Sequence, residues 1–194
     1  MRVIRAEGRV GFTLTELLVV ISIVGLLAGL SAVGIPRAME AGKKAKVKTE
    51  LTSLVAAVKA YREEYGRYPI NQTLADNEFN SWYGPPTNEN GSRQLIRILA
   101  GENLSMAGIE MNPKGVRFLE GASADGTFRD AWGNQYCVKM DTDESGALEY
   151  YASSGQGENI KMRVIAISLG KDRAQNDPDR RQTRTCDDVF SWRD

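Results

Sequence analysis

Three carboxylates near the C-terminal end of the chain have the type and spacing that a metal site needs. Asp172, Asp187 and Asp188 flank a loop that could fold so that their oxygens converge, with a backbone carbonyl such as that of Leu169 beside them. Hard cations such as Ca²⁺ take about six to eight oxygen ligands from carboxylates, carbonyls and water. A calcium site is therefore one interpretation of this loop. Charged Asp–Arg pairs are the other, because the same loop carries several arginines: Arg173, Arg180, Arg181 and Arg184.

A single acidic side chain, Glu16, lies inside a long apolar run. A carboxylate in such a run costs several kcal/mol unless it has a partner or reaches the membrane interface. The run offers no basic partner, because no Lys, Arg or His lies between Gly11 and Pro36. If the chain were cut between Gly11 and Phe12, the new α-amino group, with a pKa of about 8, would carry a positive charge near Glu16. A neighbouring copy shifted along the helix axis could also present its amine to Glu16.

The two cysteines, Cys137 and Cys186, form either one disulfide or two unrelated thiols. We favour the disulfide, because an exported domain permits one. A bridge that closes a loop of about 50 residues stabilises a domain by a few kcal/mol.

Composition argues against catalysis and against nucleic-acid binding. The chain of 194 residues has no histidine, which is the commonest general base and the commonest metal ligand, and its formal net charge is zero. Ser153-Ser154-Gly155-Gln156-Gly157 has no histidine to activate a serine, and the chain contains neither a P-loop nor a Gly-x-Ser-x-Gly motif. We therefore expect no enzymatic activity and no nucleic-acid partner.

The apolar run itself predicts a membrane-spanning helix. Phe12 to Ile35 comprises 24 residues with one charge. At a rise of about 1.5 Å per residue, a helix of that length crosses a bilayer. The arginines of residues 1–11 should hold the N-terminus in the cytoplasm, so that everything after the span lies outside. A secretory signal peptide cleaved near Ser31-Ala32-Val33-Gly34 and a plain single-pass anchor are the alternatives.

Residues 37–66 predict an amphipathic continuation of the same helix, with a bend near Gly34-Ile35-Pro36. Gly66 and Pro69 should end the helix, since glycine permits a left-handed cap and proline cannot continue a helix. Lys43 to Lys48 either contact anionic lipid headgroups or form a solvated helix face. Apolar side chains recur at spacings of three and four, which places them on one face: Val47, Leu51, Leu54, Val55, Val58, Tyr61 and Tyr65.

Residues 67–194 predict a small globular domain, and the fold class is α+β. Three or so antiparallel strands should pack against the helix, because their apolar faces need cover. Asp141 to Gly146 should join the first two strands as a hairpin loop. The predicted elements are a loop at 70–91, a helix at 93–100 capped by Ser92, a turn at 112–115, an extended piece at 116–119 and strands at 135–140, 148–151 and 163–168.

The stretch Gly11-Phe12-Thr13-Leu14-Thr15-Glu16, followed by the apolar run, resembles the processing site of type IV prepilins and of the pseudopilins of type II secretion. The resemblance implies that a membrane prepilin peptidase cleaves after Gly11 and that Phe12 becomes N-methylated. It also implies that Glu16 guides the register of subunits in a filament. One position departs from the pattern, because many relatives place a helix-kinking proline nearer the start than Pro36.

Later segments resemble the major pseudopilins of type II secretion. Tyr65-Gly66-Arg67-Tyr68-Pro69 is similar to the end of their long helix. Asp130-Ala131-Trp132-Gly133-Asn134-Gln135-Tyr136 is similar to their Asp-Pro-Trp-Gly-Asn-Pro-Tyr turn, with Ala131 and Gln135 in place of the two prolines. Ile167 to Asp172 and Asp187 to Trp192 are similar to their last strand, its loop and their C-terminal end. In those proteins the loop holds a structural Ca²⁺, which implies the same role for Leu169, Asp172, Asp187 and Asp188 here.

The resemblance touches both ends of the chain, skips residues 70–128 and implies a pilin-like subunit. Residues 1–11 would be the leader, 12–36 the membrane and polymerisation helix, 37–66 the amphipathic helix and 67–194 the globular domain. Such a subunit crosses the bacterial inner membrane once, with its N-terminus cytoplasmic and its domain periplasmic, and then assembles into a helical homopolymer, the periplasmic pseudopilus.

The same resemblance names partners for the chain. They are the prepilin peptidase, the inner-membrane assembly platform of a secretion or pilus system, minor pseudopilins and, before assembly, membrane lipid. Two other functions fit the same residues. One is a subunit of a surface type IV pilus used for adhesion, motility or DNA uptake. The other is a membrane-tethered calcium-binding domain that never polymerises.

Overall fold

A computed structural model describes residues 12–70, 89–123, 125–151, 157–173 and 188–193. The chain divides into two compact units, Met1–Gly42 and Lys43–Asp194. The described elements, in chain order, are α1 (Leu14–Tyr65), α2 (Glu89–Leu99), β1 (Ser105–Met106), β2 (Ile109–Glu110), β3 (Cys137–Met140), β4 (Leu148–Tyr151), β5 (Gly157–Ile160), β6 (Val164–Ser168) and β7 (Val189–Phe190). The long N-terminal helix and the small antiparallel sheets make this an α+β fold, as predicted.

Helix α1 is a single helix of 52 residues that continues through Pro36. Proline has no N–H, so the ring removes one hydrogen bond of the helix, to the carbonyl of Ala32. The helix ends where the sequence predicted. Gly66 follows it with a φ of 68°, which is the left-handed region, and its N–H donates to the carbonyl of Arg62 at 2.8 Å.

The apolar stripe predicted on the second half of α1 is confirmed. Six of its side chains are buried and pack into the larger of two apolar clusters, and a seventh, Tyr65, is partly buried against that cluster. The six are Val47, Leu51, Leu54, Val55, Val58 and Tyr61. The period of 3.6 residues thus identified the face of the helix that the unit Lys43–Asp194 covers.

Helix α2 begins earlier than predicted. It starts at Glu89 rather than Arg93, and Ser92, the predicted cap, lies inside the helix and is buried. Residues of turn type, such as Asn90 and Gly91, made this stretch resemble a loop. Burial of Leu95, Ile96, Ile98 and Leu99 in the core outweighs the low helix propensity of the first turn.

The extended piece predicted at residues 116–119 is not assigned as a strand within the described part of the chain. It lies instead along the C-terminal end of α2, where the backbone N–H groups of Phe118 and Leu119 both donate to the carbonyl of Leu99, at 2.8 and 2.9 Å. These two bonds satisfy a carbonyl that the end of a helix leaves without a partner.

The main sheet has three antiparallel strands in the order β3-β6-β7. Cys137 of β3 is opposite Ile167 of β6, and Ile167 is opposite Phe190 of β7. The predicted hairpin between β3 and β4 is therefore wrong. Strand β4 pairs with β5 instead, with Leu148 opposite Ile160.

Burial explains this pairing. Leu148, Tyr150 and Ile160 of the β4–β5 hairpin form a second apolar cluster with Ile165 and Ile167 of β6. The hairpin therefore covers the face of the main sheet rather than extending its edge. Alternation identifies which residues form strands, but a strand can bury its apolar side chains either against a face or beside an edge.

The other face of the main sheet packs against α1. Val138 and Met140 of β3 and Val164 and Ala166 of β6 belong to the same cluster as the stripe of the helix. Tyr136, just before β3, donates its hydroxyl to the Glu50 carboxylate of α1 at 2.5 Å. Burial, and then the hydrogen bond to Glu50 and its charge, raise the pKa of Tyr136. The unit Lys43–Asp194 thus has helix, sheet and hairpin in three layers.

Candidate functional site

The N-terminal turn of α1 brings Glu16 and Thr13 together. The backbone N–H and the hydroxyl of Thr13 donate to Oε2 of Glu16 at 2.9 and 2.7 Å. In return, the N–H of Glu16 donates to the Thr13 hydroxyl at 3.2 Å. This reciprocal arrangement is a capping box. The side chains of Thr13, the N-cap residue, and of Glu16, three residues later, each accept the backbone N–H of the other, which the first turn of a helix leaves unpaired.

The sequence analysis predicted an α-amino group as the partner of the Glu16 carboxylate and did not identify Thr13 as its hydrogen-bond donor. The signal was available, since Thr-x-x-Glu before an apolar run is the usual pattern of a capping box. Both bonds from Thr13 reach the same oxygen of Glu16. A carboxylate accepts about four hydrogen bonds, so the cap leaves capacity for a further donor, such as an amine. Of the two predicted processing residues, Phe12 is exposed directly before this turn, and Gly11 lies outside the described residues.

The apolar side chains that follow Glu16 are exposed in the unit Met1–Gly42. Leu17, Leu18 and Ile21 are more than half exposed, and so are Leu26 and Leu30. Helix α1 is long and apolar enough to cross a membrane, and none of its most apolar window is buried. It is the one helix among the described residues with that property. Exposed apolar surface of this extent is typical of contact with lipid or with other protein.

The predicted metal ligands lie around the end of the main sheet. Leu169 is buried directly after β6, and Asp188 is 9% exposed directly before β7. Ser168 is opposite Val189, so continuing that register by one residue places Leu169 opposite Asp188. Asp172 lies on the exposed turn after β6. Asp187 falls outside the described residues.

No group of three or more His, Cys, Asp or Glu side chains that could hold a metal ion occurs in the described part of the chain. One further oxygen near this end of the sheet lacks a partner. The side-chain Oε1 of Gln135 is buried and has no hydrogen-bond partner. A buried acceptor without a partner costs about 1 to 3 kcal/mol, and a hard cation would satisfy it. Calcium therefore stays a prediction.

A buried hydrogen-bond network at the same end of the sheet shows what the Asp-x-Trp-Gly-Asn turn does. Asp130 accepts the backbone N–H groups of Trp132 and Asn134 at 2.9 and 2.8 Å, and the Ser168 hydroxyl at 2.6 Å. The amide of Asn134 donates to the carbonyl of Gly170. The turn therefore fixes the position at which the chain leaves β6 toward the predicted calcium loop.

Cys137 is buried on β3. Burial, and then the charges of Asp188 and Asp130, raise the pKa of the Cys137 thiol to about 12. In reduced form it would carry almost no thiolate at neutral pH, so it would not act as a nucleophile. Its predicted disulfide partner, Cys186, lies outside the described residues, and the bridge stays a prediction.

Lys48 has a contact that neither interpretation of Lys43 to Lys48 anticipated. Its amine donates to the backbone carbonyls of Phe190, at 2.9 Å, and Arg193. Lys48 thus joins α1 to the C-terminal segment, residues 188–193. By contrast, the side chain of Lys46 is 66% exposed and lies 3.8 Å from Glu50.

Comparison with known proteins finds no matching family model, no matching curated protein and no matching solved structure.

Proposed function

We propose that this chain is a structural subunit of a periplasmic pseudopilus that drives type II protein secretion. In this proposal, a prepilin peptidase cuts between Gly11 and Phe12, Phe12 is N-methylated, and the chain is held in the inner membrane until it assembles with copies of itself. The globular part, residues 67–194, is periplasmic. The chain is not an enzyme.

The observation that carries the proposal is the start of α1. Glu16 lies in the first turn of a helix whose following apolar side chains are exposed, and its carboxylate still has capacity for another donor. Monomeric soluble proteins rarely expose a continuous apolar surface of this size. Helices packed side by side would bury it, and the free amine of a neighbouring Phe12 would neutralise Glu16 in the same step.

The partners follow from this life cycle. They are the prepilin peptidase, the inner-membrane assembly platform, minor pseudopilins, lipid before assembly and further copies of the chain. Leu169, Asp172, Asp187 and Asp188 would hold a calcium ion. The ion would link the loop after β6 to the C-terminal segment, so that its binding energy adds to the stability of the folded domain.

A Glu16→Gln variant tests the assembly role. The substitution keeps the size of the side chain and removes its charge. We therefore expect cross-links between cysteines introduced on the α1 helices of neighbouring copies to be lost, together with secretion of the exported enzymes. Glu63→Gln is the matched control, because Glu63 is an exposed glutamate on the same helix, outside the apolar run. Filaments that form normally from Glu16→Gln would contradict the proposal.

Two further measurements separate the alternatives. Mass spectrometry of the purified protein should find a mature chain that begins with methylated Phe12, and any other N-terminus would argue for a signal peptide or a plain anchor. Deletion of the protein should abolish enzyme secretion. Loss of surface fibres or twitching with secretion intact would instead identify a type IV pilus subunit.

A further inference from the structure

Four lysines lie close together on α1, shortly after the predicted membrane span, and their amines differ in their partners. Among the described residues, the side chains of Lys43 and Lys44 have neither a hydrogen bond nor an ion pair. Lys46 lies 3.8 Å from Glu50, but its side chain is 66% exposed, and such surface pairs are weak. Lys48 differs, because its amine donates to two backbone carbonyls of the C-terminal segment. Three of the four amines are therefore available to a partner outside the chain.

The charge around these lysines is strongly positive. Residues 37–50 contain five basic and two acidic side chains. One of the two acids, Glu50, is already engaged, because its carboxylate accepts the Tyr136 hydroxyl at 2.5 Å. The side chain of the other, Glu40, has no hydrogen bond or ion pair within the described part of the chain. A surface with such an excess of positive charge attracts anions.

The position of the lysines on the helix indicates the class of anion. Lys43 follows Ile35, where the apolar run ends, by eight residues within α1, which is a rise of about 12 Å. The headgroup layer of a bilayer is about 5 to 8 Å thick. Cα–Cβ bonds tilt toward the N-terminus of a helix, so long lysine side chains extend toward the span. If α1 crosses a bilayer at the span, the amines lie at the headgroups or within the distance over which salt screens a charge, about 10 Å.

We propose that Lys43, Lys44 and Lys46 bind the phosphates of anionic phospholipid headgroups while the chain is held in the membrane. Lipid is the source of the phosphate, because a helix anchored in a bilayer keeps these amines at a high local concentration of headgroups. Each lysine near an anionic membrane surface strengthens the attraction about fivefold. The inference rests on one part of the proposed function, the stage at which the unassembled chain spans the membrane.

The first test measures how fast each lysine amine of the full chain reacts with acetic anhydride, as followed by mass spectrometry. The chain is placed in nanodiscs of phosphatidylcholine alone or of phosphatidylcholine with phosphatidylglycerol, which is anionic. We expect acetylation of Lys43, Lys44 and Lys46 to be about threefold slower or more in the anionic discs, and to recover in about 1 M NaCl. Lys59 is the control, because it is an exposed lysine further along the same helix, and it should react equally in both discs.

The second test uses a variant that combines Lys43→Gln, Lys44→Gln and Lys46→Gln. Electron paramagnetic resonance of spin-labelled lipids gives the ratio of the association constants of phosphatidylglycerol and phosphatidylcholine for the full chain. The wild type should prefer phosphatidylglycerol by about fivefold or more, and the triple variant should have a ratio close to that of equal binding. Arginine at the same three positions should keep the preference, because the positive charge is retained. Lys59→Gln should behave like the wild type.

Equal acetylation of the three lysines in both kinds of disc would overturn the inference, and so would a triple variant that keeps the wild-type lipid preference. Inorganic phosphate that protects the same lysines equally well in phosphatidylcholine discs would also overturn it, because the site would then bind a free anion. None of these results affects the assembly role of Glu16, which the cross-linking experiment tests separately. Normal filaments from Glu16→Gln would in turn leave the lipid preference intact, so the two failures are distinguishable.

Discussion

Glu16 has a partner in its own helix turn, although it also lies in an apolar run. Thr13 provides two donors to the carboxylate and one acceptor to the Glu16 N–H. A buried charge that is hydrogen-bonded is much less costly than an isolated one. The capping box therefore explains how a single copy of the chain tolerates Glu16 at the start of an apolar run.

The Thr13→Val variant tests this cap at the scale of one side chain. Valine has nearly the same shape but no hydroxyl, so the first turn should lose about 1 kcal/mol of stability. Hydrogen exchange of the full chain in micelles should show amide protons of Glu16 and Leu17 exchanging roughly fivefold faster. Thr49→Val, an equivalent change on an exposed part of the helix, should leave these protons unaffected. Unchanged exchange in Thr13→Val would mean that the hydroxyl does not stabilise the turn.

Lys139 is a second residue whose surroundings set its behaviour. It lies on β3 and is 3% exposed, and its amine donates to the backbone carbonyl of Glu149. Burial lowers the pKa of Lys139 to about 8 from its ordinary value of 10.5, although the Glu149 charge acts in the opposite direction. At a pH between these two values, the Lys139 amine is mostly protonated in the unfolded chain and mostly neutral in the folded chain. The stability contributed by this group therefore rises with pH across that interval.

The Lys139→Met variant tests this pH dependence. The wild-type free energy of unfolding minus that of the variant should increase between about pH 8 and pH 10.5 and change little below that interval. Urea denaturation of the full chain in micelles, followed by tryptophan fluorescence at several pH values, measures the difference. A difference that is independent of pH would show that Lys139 does not release its proton on folding.

At the scale of elements, the C-terminal segment is held by contacts from three elements, β6, β5 and α1. Strand β7 pairs with β6, and Ser191 and Ala166 exchange hydrogen bonds, in which each backbone N–H donates to the other residue, at 2.9 Å. Arg193 forms an ion pair with Glu158 of β5. Lys48 then binds two carbonyls of the segment from α1. The short strand β7 is therefore held both by its pairing with β6 and by two side chains from distant parts of the sequence, Lys48 and Glu158.

The Lys48→Met variant should loosen this segment without unfolding the domain. The methylene groups remain, but two carbonyls lose a charged donor, at a cost of about 1 to 3 kcal/mol. We expect faster hydrogen exchange at Phe190 and Ser191 and a red shift in the fluorescence of Trp192. Lys46→Met is the matched control on the same helix, since Lys46 is mostly exposed. Equal protection of β7 in both variants would contradict the role assigned to Lys48.

At the scale of the whole molecule, the two units of the chain differ in whether their apolar side chains are buried or exposed. The unit Lys43–Asp194 buries its apolar side chains in two clusters, one on each face of the main sheet. The unit Met1–Gly42 exposes them along α1. Helix α1 is long and apolar enough to cross a bilayer, which would be a second apolar environment besides the core of the unit Lys43–Asp194.

The Leu26→Lys variant tests that environment. Leu26 is 66% exposed and lies in the middle of the apolar run, where a lysine costs about 2.5 to 3.5 kcal/mol on insertion. We expect the variant to leave the membrane fraction during an alkaline carbonate wash, whereas the wild type and Leu26→Ile remain in it. Retention of all three chains in the membrane fraction would show that residue 26 does not lie in the hydrocarbon core of a bilayer.

The sequence by itself determined the features that depend on local periodicity and local sterics. Spacings of three and four identified the buried face of α1, Gly66 marked the end of the helix, and an almost uncharged run marked the stretch that could span a membrane. Thr13 belongs with these features, because the capping box is a local pattern that sequence reasoning could have found. Such signals lie within a few residues, so no knowledge of distant contacts is needed to interpret them.

Only the tertiary structure decided which distant groups meet. Strand β3 pairs with β6 rather than β4, because the β4–β5 hairpin buries its apolar side chains against the face of the sheet. Lys48 contacts the C-terminal segment, and Asp130 accepts a hydrogen bond from Ser168, although the sequence separates these partners widely. The physical reason is that alternation fixes which side of a strand is apolar, while the choice of partner depends on how all the apolar faces are buried together.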